Sequence, residues 1–346
     1  MPLDHRTKPS TTGGAPAPAP RRSTGLDAAR GLAVLTMFVA HFAPTGGPGG
    51  VLIMSEFLAA PLFVAVMAMG AHLSFRRHRW LHSAVGMIPR AAVLWAVGLA
   101  LETLGAQIDV VLGALAVTAL CLPLLLPLPS WALLAVGAAG ALVAPVLDER
   151  LRPAMYRSML EGHHHLADLL GVLGPGPHYR LGPFLAYAAL GVLVARHLRG
   201  TRARIGVAGA GLALAGVLVV LALVGRVDFH PYDGSVWATL TSGGVAVALL
   251  LLCLLAGERL PAAAGPLATV GRSALTVYAL QIVAAAAWVR ALGEPTDNSW
   301  LLLASCVVAA WLVAALWQRL LPGRGPLELA LEKLVGATRQ LVPARP

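Results

Sequence analysis

Arg30 and His41 stand eleven positions apart on the first long apolar run, Gly25 to Ala43, with Asp27 one turn before the arginine. At 3.6 residues per turn that spacing is about three turns, so both side chains fall on nearly one face of a helix, about 16 Å apart along its axis. An ionisable group in lipid costs a few kcal/mol or more unless it faces protein or water. Three of them on one element therefore predict a helix that lines a cavity. The competing reading has Asp27 and Arg30 snorkelling to the headgroups and His41 resting at the opposite interface. Imidazole suits proton transfer near neutral pH. Glu56 and Glu102 are the other costly residues, expected in the same half of the membrane as His41. A carboxylate beside a histidine fixes its tautomer and raises its basicity, so His41, Glu56 and Glu102 are the catalytic candidates. At the other end, Arg30, Arg90, Arg76 and Arg77 form a group of guanidinium forks suited to phosphate oxygens. For Arg76 and Arg77 a lipid-facing basic patch explains the same residues.

Further polar residues lie along the ninth apolar run: Arg272, Thr276, Tyr278 and Gln281 make a stripe that lines a cavity or bonds a neighbouring helix. Cys121, Cys253 and Cys306 all fall inside apolar runs and read as small hydrophobes. His163, His164 and His165 are adjacent, and neighbours in a row rarely converge on one ion, so no metal site is expected. No phosphate-loop, dinucleotide, nucleophile-elbow or zincin pattern occurs.

The elements that carry these residues are set by composition. Of 346 residues, 58% are hydrophobic and 12% charged, with mean hydropathy +0.75. That balance excludes a soluble domain and predicts an all-α, polytopic integral membrane bundle in a lipid bilayer. The net charge of +10 sits in short loops, where it reads as a topology signal and not as a nucleic-acid surface. Apolar runs of spanning length give about ten transmembrane helices, at 26–43, 51–75, 85–104, 108–127, 130–147, 181–198, 205–225, 236–256, 267–290 and 300–320. The loop charges put both termini in the cytoplasm and the protein in the cytoplasmic membrane. Residues 1–24 read as a disordered cytoplasmic tail, 25–322 as the membrane domain and 323–346 as a cytoplasmic C-terminal tail. The longest loop, about 148–180, is expected outside the cell.

The stretch from Leu26 through Asp27, Arg30 and Gly31 to His41 resembles the first helix of the transmembrane acyltransferase superfamily. That group includes acyltransferase-3 proteins, heparan-α-glucosaminide N-acetyltransferase-like proteins and the DUF418 group. Pro61-Leu-Phe63 with Gly70, and Ile108-Asp109-Val110, are similar to later motifs of that superfamily. Gly271-Arg272, Thr276, Tyr278 and Gln281, with Gly325-Pro326-Leu327-Glu328, resemble the closing motifs of the DUF418 group. The resemblance implies acyl transfer, commonly acetyl, from cytoplasmic acyl-CoA to a glycan or small acceptor outside, by an O- or N-acyltransferase. It implies His41 as the catalytic histidine and general base, Arg30 as the signature arginine and Asp27 as its support. Tyr278, Gln281 and Thr103 are the candidate oxyanion donors. Where the glucosaminide enzymes place a histidine after the first helix, Pro44 to Gly50 has none. A proton-coupled transporter using His41, Glu56 and Glu102 is the rival reading, and the sequence leaves oligomeric state open.

Overall fold

Ser23 starts the first helix: its hydroxyl accepts from the Leu26 amide at 3.3 Å, satisfying one of the amides left open at a helix N-terminus. In the computed structural model, which describes residues 23–76, 80–176, 178–293, 298–320 and 324–341, this helix α1 runs Thr24–Phe42. The others are α2 (Ala59–Phe75), α3 (Trp80–Val85), α4 (Met87–Glu102), α5 (Leu112–Leu125), α6 (Ser130–Leu160), α7 (His164–Leu173), α8 (Leu181–His197), α9 (Thr201–Leu223), α10 (Val236–Arg259), α11 (Pro261–Arg272), α12 (Ala274–Leu292), α13 (Trp300–Leu320) and α14 (Pro326–Gln340). Short 3₁₀ turns fill Pro44–Gly46 and Pro48–Phe57. Among the described residues, eight helical segments are long and apolar enough to cross a membrane, and α5 and α8 are shorter apolar helices. The chain is an integral, multi-pass membrane protein. The expected residues 1–24 fall, up to Arg22, outside the described residues.

Helix α1 is the buried axis of the bundle. Val34, Met37, Phe38 and Phe42 enter one core with α2, α5, α8 and α12. Leu26, Ala29 and Ala33 enter a second with α2, α10 and α11. Small residues let the backbones touch, as membrane helices require where lipid offers no hydrophobic driving force. A Cβ on Gly31 would overlap the Leu267 carbonyl, and one on Gly271 the Asp27 carbonyl.

Three stretches differ from the hydropathy expectation. The ninth span is broken: Ser273, at φ −119° and ψ 29°, separates α11 from α12. Helix α6 does not stop near 147 but continues to Leu160, about 46 Å in all, longer than the ~30 Å hydrocarbon core. With α7 it makes most of 148–180 helical. Hydropathy reports only the apolar part of a helix, so the polar turns beyond Leu147 read as loop. The C-terminal stretch contains a docked helix: α14 packs on α4 and α12.

Candidate functional site

Polar side chains gather at the two ends of α1. At the Asp27 end, Arg30 donates to the buried Asp27 carboxylate at 2.6 Å, an i,i+3 pair. Arg272 lies 3.8 Å from the other oxygen of Asp27 and donates to Gln318 at 3.1 Å. Arg30, Arg324 and Arg339 are the charges that face Arg90. Arg324 pairs with Glu332. Arg90 and Arg339 have no ion-pair partner among the described residues, and the Nε of each is buried without a hydrogen bond. The Arg339 guanidinium lies on Gly86, where a Cβ would meet its Nε at 2.7 Å, and it donates to Ser74 at 3.2 Å. Two half-buried guanidinium groups without a carboxylate make a charge that an anion would offset; Arg76 is exposed and stands apart, facing His72 with Arg196. Arg77 lies outside the described residues.

At the far end, His41 Nδ1 is 2.5 Å from Gln281 Nε2. Its hydrogen-bond partner is therefore Gln281 and neither Glu56 nor Glu102. Asp109 and His178 are the titratable groups that face it. Tyr278 accepts from the Val111 amide at 3.2 Å, tying α12 to the loop that carries Asp109. Glu102 is exposed at the end of α4, facing Asp168 and Asp109. Thr103 bonds back to the Ala100 carbonyl. Glu56 is half-buried and lines a cleft with His178, Arg180, Tyr187 and Tyr232.

His178 is the residue sequence reasoning passed over. Its Nδ1 pairs with the Asp109 carboxylate, a hydrogen bond that holds this carboxyl below the usual range. Rings of Tyr179 and Tyr232 pack on it or on one another, with His178 and Tyr232 centroids 5.3 Å apart. Arg180 locks the loop: it donates to the Gly176 carbonyl at 3.1 Å and to the Asp233 carbonyl, and lies 3.6 Å from Asp148. A histidine in a Gly-Pro loop gives no periodic signal, so the sequence pointed here only through the Asp109 motif and the polar character of the external loop that ends in Gly174 to Arg180, a loop expected to touch an acceptor or headgroups. Among the described residues no cluster suited to a metal ion occurs.

Comparison with known families adds one observation. Residues 188–338 match DUF418, a family described as a protein of unknown function. The DUF418 region runs from within α8 into α14 and holds Tyr232, Arg272, Tyr278, Gln281 and Glu328. Asp27, Arg30, His41, Arg90, Asp109 and His178 precede it, so both polar ends are built jointly by the DUF418 region and the helices before it. No curated protein matches the chain.

Proposed function

We propose that this protein is a membrane-embedded acyltransferase that takes an acyl group, acetyl in the simplest case, from acyl-CoA at the arginine end and passes it to an acceptor at the histidine end. The arginine end would face the cytoplasm, as the loop charges suggest. The observation that carries this reading is the pair Arg90 and Arg339, half-buried with the Nε of each enclosed, without a carboxylate, and beside the Arg30 end of the helix that ends in His41. Guanidinium forks of that kind suit the phosphates of a nucleotide donor, while an imidazole at the other end of one helix suits transfer chemistry.

Gln281 sets what His41 can do. As oriented, the amide donates to Nδ1, so the ring proton sits on Nε2 and that nitrogen is a donor. The general-base role expected of His41 needs the amide turned through 180°, so that its oxygen, buried and unpartnered as it stands, accepts from Nδ1–H. Amide orientation is assigned from the hydrogen-bond network, so this is a testable choice.

The experiment is calorimetric binding of acetyl-CoA and free CoA to the detergent-purified protein, beside Arg30→Ala and Arg90→Ala. Saturable binding weakened tenfold or more by Arg90→Ala, with Arg30→Ala weaker in affinity or in folded yield, is the expected result. A folded, monodisperse sample that binds neither ligand would remove the donor site and transfer the weight to proton-coupled transport through His41 and Glu56.

A further inference from the structure

The histidine end holds two imidazoles whose Nδ1 atoms meet different partners, an amide and a carboxylate. Gln281 donates to His41 Nδ1, leaving His41 Nε2 as a proton donor. His178 does the reverse: the Asp109 carboxylate can only accept, so His178 Nδ1 carries a proton, and in the neutral ring Nε2 keeps its lone pair. A carboxylate behind one ring nitrogen is the arrangement that makes the other nitrogen an effective base.

The surroundings of His178 are constructed for position. Three loops meet there: residues 103–111 bring Asp109, 178–180 bring His178, and 224–235 bring Tyr232. Tyr232 sits at φ +65°, a conformation costly for a bulky residue and retained where surrounding structure imposes it. Its ring meets His178 edge-on. Arg180 clamps the second loop to the third, with its guanidinium filling the space a Cβ on Gly234 would need. The result is a cleft whose wall combines His178, Glu56, Tyr187, Tyr232, Thr239 and Ser242. Glu56 has no hydrogen bond or ion pair among the described residues. The free space is about 30 Å³, room for a water, and His178 itself is exposed.

We propose that His178, positioned by Asp109, is the general base of this protein, acting on a hydroxyl-bearing acceptor, or on water in its absence, in the cleft it shares with Glu56 and Tyr232. The proposal rests on the acyl-transfer reading. In the step itself the acceptor O–H proton passes to His178 Nε2 as the oxygen bonds to the acyl carbon. The His41 Nε2–H donates to the carbonyl oxygen as negative charge develops there. The C–S bond then breaks, and the proton held by His178 goes to the departing thiolate, leaving acylated acceptor and CoA thiol. Both ring nitrogens of both histidines are thus used in the tautomers that Gln281, as oriented, and Asp109 favour.

The test uses acetyl-CoA alone, with water as acceptor, and reads thiol release by purified protein beside calorimetric affinity for acetyl-CoA. His178→Ala is expected to slow release about 100-fold, to leave affinity within twofold, and to abolish the solvent deuterium isotope effect of the wild type. Asp109→Asn is expected to slow release at least tenfold with affinity again unchanged, and His178→Gln to behave as His178→Ala with the loop shape kept. Normal release with a normal isotope effect in His178→Ala would overturn the proposal, as would a wild-type protein that binds acetyl-CoA and leaves the thioester intact. Failure of the acyl-transfer reading looks different: there the wild type does not bind acetyl-CoA at all, and both fall together.

Discussion

Gln281 is a neutral amide in the place where an oriented imidazole often has a carboxylate. A neutral partner fixes direction without adding charge, which is economical for a side chain that is itself 2% exposed in an apolar core. Removing it leaves a buried ring nitrogen unsatisfied, a loss of about 1–3 kcal/mol. Gln281→Leu should therefore lower the melting temperature in detergent. Gln281→Glu should act differently, since a carboxylate accepts from Nδ1–H and moves the His41 proton off Nε2. Nitrogen-15 spectra of labelled histidine check this: His41 should report an Nε2–H tautomer in the wild type and Nδ1–H in Gln281→Glu, and an unchanged tautomer would remove Gln281 as its determinant. His41, Arg30 and Arg90 stand out in the sequence because each is a lone ionisable group against an apolar run. Their partners do not. Gln281 is 240 positions from His41, and an amide among alanines carries no signal of which helix it meets. Glu56 and Glu102 were expected beside His41 on depth alone; depth says nothing of azimuth, and Glu102 points out to solvent.

Among the elements, α12 depends on a cap that comes from far along the chain. Glu328 Oε1 accepts from the Leu275 and Thr276 amides at 2.6 and 3.1 Å, and Oε2 from the Thr276 hydroxyl at 2.6 Å. Thr276 in turn accepts from the Leu327 amide at 3.2 Å. The break at Ser273 exposes the first amides of α12, and a carboxylate at that positive end satisfies them and favours the helix dipole. The cap thus holds α14, with Arg339, beside α12, with Gln281. Glu328→Ala should cost about 1–3 kcal/mol and expose α14 to proteolysis, while Glu328→Gln keeps part of the bonding and should lose less. Equal melting and equal digestion in all three forms would show that the cap holds nothing. Hydropathy saw α11 and α12 as one span because Ser273 is a single small residue inside an apolar run; only the Glu328 bonds explain why the helix stops there.

At the scale of the molecule, transfer between two ends requires that the ends face different compartments. The arginine layer, α14 included, lies at the Asp27 end of α1. Helix α7 lies at the other end, since His165 and Asp168 face Glu102 and Asp109 does too. Along α1 alone the ends are separated by about 16 Å between Arg30 and His41, half the thickness of the hydrocarbon core, so a pantetheine-length arm reaches from one to the other while neither end needs to move. Two exposed positions report the arrangement: His164 on α7 and Lys333 on α14. The native thiols give little background, as Cys253 and Cys306 are buried and Cys121 is half-buried within α5. In intact cells, His164→Cys should react with a membrane-impermeant maleimide, and Lys333→Cys should react only after lysis. The reverse pattern would keep two-sided transfer and invert the proposed orientation. Labelling of both positions from one side would place the arginine layer and the His178 cleft in the same compartment, and acyl passage across the bilayer would then be excluded whatever the affinity for CoA.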